Sequence, residues 1–299
     1  MAGPASRSAT CASPGLPPRP HDKLAPMCCF SRAVPLVAST KIFARPLGGT
    51  RQALAYAMDF AAAEDLALVL PIPTPIGAGD DAVEFVDLSA CPDFFARLER
   101  AFPLLVARST ALAFAPQSRR QPAPPLVVHE VGDFQASFVP SVADFARLDA
   151  RFRLPVKVWD TLPLHRTYGF VVAKLRATGT GFFAKLAGGT PKRHTLHPLA
   201  FTFPRRDPSR VFFPTVHVHD GEAHAEATFD HALYVQAPVV PPAGSDATIR
   251  AIEWEHATGS AASVMDSTLG AGLLAAHEPM ARAFVHGERA NEDLTVLAG

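Results

Sequence analysis

Residues 53–72, ALAYAMDFAAAEDLALVLPI, carry the alternation that decides the fold. Leu54, Tyr56, Met58 and Phe60 fall on one side of an extended chain, with smaller residues between them. Leu66, Leu68, Leu70 and Ile72 repeat the pattern. A period of two marks half-buried strands, and the short segment 61–65 would join these two as a hairpin.

Outward from this pair the same period recurs. AVEFVDLS (82–89), LVVHEV (126–131), QASFVP (135–140), YGFVVAKLR (168–176), HPLAFTFP (197–204) and IRAIEWEHA (249–257) all read as strands. CPDFFARLERAF (91–102) reads as a helix: Pro92 suits a first turn, and Phe94, Phe95, Leu98 and Phe102 make an apolar stripe. SVADFARLDARF (141–152) reads as a second short helix, with Ser141 as N-cap and Asp144 at the third position. The tail 261–286 is expected to be helical in two pieces, because Gly270, Gly272 and Pro279 interrupt it. Strand following strand with short connections predicts an α+β fold: a predominantly antiparallel, sandwich-like sheet with a few short peripheral helices.

Composition bounds the rest. Hydrophobic residues make up 48% of the 299 and charged residues 19%, enough for a sizeable core. The formal net charge is zero, and no basic stripe of the kind that neutralises phosphates is visible, so no nucleic-acid partner is expected. The densest basic spots, QSRRQ, PKRH and PRRDPSR, are short and loop-like. Nothing approaches the roughly 18 apolar residues of a membrane helix, so no membrane partner is expected either. Four cysteines (Cys11, Cys28, Cys29, Cys91) without a CxxC make neither a disulfide framework nor a zinc knuckle, and fit a reducing, cytoplasmic setting. Residues 1–26, with six prolines and no aromatic, are expected to be a disordered extension, the alternative being a true start at Met27, with a single β-rich domain over 27–299.

The densest chemistry lies in VFFPTVHVHDGEAHAEATFDH (211–231). Asp220–Gly221 is a preferred pair for a two-residue type I′ hairpin turn. That register sets His217 opposite His224 and His219 opposite Glu222. Phe212, Val216, Val218, Ala223, Ala225 and Phe229 then share one face, and Thr215, His217, His219, Glu222, His224 and Glu226 the other. His231 falls on the apolar side and reads as a hydrogen-bonded core histidine. Three imidazoles and a carboxylate (His217, His219, His224, Glu222) suit a divalent transition metal, zinc or similar, with His194 and His197 as further candidates. The alternative is the wet face of an antiparallel sheet.

A second chemistry starts from MCCFS (27–31): trimming of Met27 would leave Cys28 with a thiolate and a free amine, the arrangement of an N-terminal-cysteine hydrolase. A third reading is a protein-interaction module without catalysis, which would expose an apolar patch. GTGFFA (179–184) matches a G-x-G-x-x-A pattern, but Lys174 and Arg176 on the preceding strand argue for a loop.

MCCFS, VLPIPTP (69–75), DFFARLE (93–99), FVVAKLR (170–176), HPLAFTFP and FFPTVHVHDG (212–221) together resemble a set of uncharacterised bacterial proteins. The resemblance covers most of 27–299 and implies a fold beginning at Met27. It implies no activity, so no residue inherits a role.

Overall fold

The structure, a computed structural model, describes residues 29–32, 34, 36–61, 65–103, 126, 128–154, 156–175, 197–218, 222–241, 244–246, 252–266 and 268–298. The extension 1–26, Cys28, His194, His219, the Asp220–Gly221 pair and GTGFFA lie outside them.

Eight strands form the larger sheet: β1 (Leu36–Pro46), β2 (Arg51–Ala61), β4 (Glu84–Val86), β8 (Leu199–Pro204), β10 (Glu226–Gln236), β11 (Gly244–Asp246), β12 (Ile252–His256) and β13 (Met280–Ala290). Their order is β11-β12-β13-β10-β1-β2-β8-β4, antiparallel at every step except β1–β10. A four-stranded antiparallel sheet has the order β3-β7-β6-β5, from β3 (Leu66–Ile72), β5 (His129–Val131), β6 (Phe134–Val139) and β7 (Gly169–Leu175). β9 (Arg210–Phe213) pairs with β14 (Leu294–Leu297).

Strand alternation sorts the side chains into layers. Leu54, Tyr56, Phe201 and Leu233 of the large sheet meet Leu68, Leu70, Phe138 and Val171 of the small one. On the opposite side of the large sheet, Phe43, Ala55, Ala200 and Tyr234 are covered by Phe94, Phe95 and Leu98 of α1 (Phe94–Glu99) and by Met265, just after α3 (Ala261–Val264). On the far side of the small sheet, Val69, Phe170 and Val172 pack against Phe145, Val158 and Trp159; Val158 and Trp159 belong to α2 (Val156–Thr161). The expected sandwich with short peripheral helices is what the chain forms. Residues 142–147 coil as a 3₁₀ helix, with Ser141 Oγ donating to the Asp144 carboxylate at 2.7 Å instead of capping the backbone. Among the described residues no helix is long and apolar enough to cross a membrane.

Two expectations are corrected. β2 and β3 are not a hairpin: β2 lies between β1 and β8, and β3 pairs with β7 in the other sheet. The reason is that β3 is buried on both sides, so the alternation in DLALVLPI is one of large and small side chains, not of dry and wet ones. The tail is not two helices: among its described residues only Ala261–Val264 is helical, and Met280–Ala290 is a strand paired with β10 along its whole length. Ala281, Ala283 and Val285 enter the inter-sheet core while Met280 faces the helices, a fit to a pleated surface that outweighs alanine's helix preference.

The β5–β6 turn yields a prediction. Val131 faces Phe134 across a two-residue loop, and Gly132 has a φ of +55°. A Cβ there would lie 2.2 Å from His197 Nε2. Gly132→Ala is expected to destabilise by about 2 kcal/mol, because the left-handed conformation alone costs about 1–2 kcal/mol and the His197 ring must also move. Thermal unfolding checks it; a change under half that size would mean the turn relaxes freely.

Candidate functional site

From the end of β9 the chain continues extended through residues 214–218. Phe30 N–H donates to Val218 O at 2.9 Å, and Cys29 O accepts from Val69 N–H at 2.8 Å, so residues 29–30 and 218 extend the small sheet beyond β3. Alternation sends Val216 and Val218 into the outer core with Trp159. It turns Thr215 and His217 to the other side.

There the His217 ring stands 5.2 Å from that of His231, with 15° between the planes, and 4.5 Å from Phe229. His231 lies on β10, in register with Thr40 of β1 and Val285 of β13. Thr40, His217 and His231 are all buried, at 0%, 2% and 1% exposure. Both ring nitrogens of His231 are buried and make no hydrogen bond among the described residues. Burial pushes the His231 imidazole well below its usual pKa, and His217 and His286 push in the same direction, so it is held neutral. Beside this pair β1 carries a bulge between Ala38 and Lys41, where Ser39 takes a φ of 55° and donates its N–H to Asp230 Oδ2 at 3.0 Å.

Two side chains from the segment before β14 fasten the strap. Asn291 Oδ1 accepts from His217 N–H at 2.7 Å, and Nδ2 donates to His217 O and His224 O, both at 2.9 Å. Asp293 Oδ1 accepts from the N–H groups of Thr215 (2.8 Å) and Val216 (3.0 Å), and Oδ2 meets His165 Nε2 at 2.7 Å.

Among the described residues β9 pairs with β14 and β10 with β1 and β13, and no ladder sets His217 opposite His224; His219 and the Asp220–Gly221 turn lie outside them. The cause is that residues 211–218 are buried on both sides, which leaves that strand no wet face. Of the predicted set, His217 is interior, while His224 and Glu222 are exposed and Glu222 pairs with Lys157 at 2.8 Å. Among the described residues no three His, Cys, Asp or Glu side chains gather as a metal-holding group. His231 is a core histidine as expected, but its ring makes no hydrogen bond among the described residues.

His197 accepts from Asp133 N–H at 2.9 Å through Nε2, and Nδ1 faces Pro198 O at 3.0 Å, so its proton sits on Nδ1 and its lone pair is used. It lines a small, half-open apolar pocket of about 20 Å³ between the sheets, with Tyr56, Met58, Phe60 and Phe134. Cys29, next to the candidate nucleophile, is buried with Sγ 3.5 Å from Val216 O.

No protein-family model matches the chain, and no curated protein matches it. Among solved structures the chain is similar to a crystal structure of baculovirus P35, with a TM-score of 0.43 and 9% identity over 88% of this chain and 97% of that one. It is also similar to a crystal structure of the caspase-8/P35 complex, with a TM-score of 0.43 and 10% identity over 87% of this chain and 96% of that one.

Proposed function

We propose that this chain is a binding protein whose ligand is a divalent transition-metal ion, zinc or similar, held at the His217–His231 pair. The observation that carries the reading is His231: a buried imidazole with neither nitrogen hydrogen-bonded among the described residues. An unsatisfied buried polar group costs about 1–3 kcal/mol, and an ion is one of the few things that repays it. Neutral imidazole is the form that ligates, and burial holds His231 in that form. A reducing, cytoplasmic setting belongs to this reading, supported by the buried free thiol of Cys91.

The test is elemental analysis of the untagged protein, followed by thermal melts with zinc, copper or nickel. About one equivalent is expected. At 100-fold excess over Kd the ion adds about 2.7 kcal/mol, which is on the order of 5–10 °C in Tm for a domain of this size. His231→Phe, which can pack against Phe229, should remove both signals. A metal-free protein whose melting temperature none of these ions moves would sink the reading.

A further inference from the structure

The connection between β8 and β9 holds an arginine that the metal reading leaves unused. Arg205 is 5% exposed, although it sits in the polar loop RRDPSR. Its N–H donates to Thr50 O at 2.7 Å, and its Nη1 donates to Pro208 O at 2.8 Å and Arg210 O at 3.0 Å. These carbonyls aim the guanidinium into the bend of its own loop. Nε is buried and makes no hydrogen bond among the described residues.

Several other sheltered arginines of the fold have a carboxylate. Arg282, buried to the same degree, is paired with Glu255; Arg45 has Glu278 at 3.0 Å, and Arg147 has Asp80. Among the described residues no carboxylate comes within ion-pair distance of Arg205. The acid that acts on it from further off is Asp207, which is exposed and already occupied: its Oδ1 accepts from Ser209 N–H at 2.9 Å and Oγ at 2.5 Å, and its Oδ2 lies 3.6 Å from Arg210 Nε. The loop carries three arginines against one aspartate, so the local field is positive. Burial lowers the pKa of Arg205, yet an arginine side chain does not give up its proton in a protein. Only a counter-charge relieves it.

We infer that Arg205 anchors an anion-binding site at the β8–β9 loop, for a ligand that presents a carboxylate or a phosphate. The free Nε side of the guanidinium offers parallel N–H donors, the fork that matches two oxygens of such a group. Phosphate and carboxylate share this chemistry, and the experiment separates them.

Inorganic phosphate and succinate are titrated separately against the full-length protein at constant ionic strength, with chloride as the balancing anion, and melting temperature and heat of binding are followed. A saturable rise is expected with at least one of them in the wild type, and none in Arg205→Met. A response to phosphate alone assigns a phosphorylated ligand; a response to succinate alone assigns a carboxylate ligand. If Arg205→Met does not fold, Arg205→Lys, which keeps the charge and loses the fork, is expected to bind on the order of tenfold more weakly. Absence of a saturable response in the wild type overturns the proposal. So does an equal response in Arg205→Met, or an unchanged affinity in Arg205→Lys.

Discussion

Asp293→Ala is expected to lower stability by about 3 kcal/mol, because it leaves several buried donors without an acceptor. One carboxylate serves three donors: the N–H groups of Thr215 and Val216, and His165 Nε2. The side chains of His165 and Asp293 are each 8% exposed, so water cannot replace the lost acceptor cheaply. Each buried donor left without an acceptor costs about 1–3 kcal/mol. Asp293→Asn keeps one carbonyl oxygen, which can still take the Thr215 and Val216 bonds, and is expected to lose about half as much. Denaturant unfolding measures both: the midpoint should fall with an unchanged slope. A loss below 1 kcal/mol for Asp293→Ala would show that the strap is held by packing alone. The strap also positions His217 against His231, so the same variant should weaken metal binding. Asn291→Ala acts on the neighbouring residue of the same strap, and the two losses should not add.

The strands were legible where burial changes from side to side or where bulk alone marks them. Gly169–Leu175 and Leu199–Pro204 fall where their alternation predicts. What alternation could not assign was sheet membership, because a strand covered on both faces, such as β3, carries no label for its partner. β13 was illegible for a related reason: Ala281 and Ala283 face the core through small side chains that read equally well as helix. The strands expected on either side of Asp220–Gly221 take partners far along the chain. β14 supplies the ladder for β9, and the side chains of Asn291 and Asp293 bond the backbone of residues 215–217. A side chain acting as a strand partner leaves no periodicity to read. The Gly132–Asp133 pair, which does close a two-residue hairpin, carried the same kind of turn signal. The candidate site shows the limit most clearly. His217 belongs with His231, on a strand that lies in another sheet from its own, and no local pattern joins them.

Acid should unfold the metal-free protein earlier than its carboxylates require, and His231 gives the reason. In the folded chain its pKa is well below the usual value because the ring is buried. In the unfolded chain the ring titrates near pH 6.5. Below about pH 6.5 the unfolded state therefore takes up a proton that the folded state refuses, and stability falls as the pH falls. The slope is at most about 1.4 kcal/mol per pH unit, and the loss grows below about pH 6.5 until the folded ring protonates in turn. The acids with lowered pKa, such as Asp149 at about 2 and the Arg147-paired Asp80, add their own losses mainly below this window. The difference between wild type and His231→Phe, measured by denaturant unfolding with a chelator present, removes every contribution the two share. The variant should show a pH slope shallower by about one proton across the window. Parallel slopes would mean that His231 takes up its proton without leaving the fold. Protons and a metal ion compete for the same imidazole nitrogens, so an ion bound at this pair should be released over the same pH range in which the wild type alone loses stability.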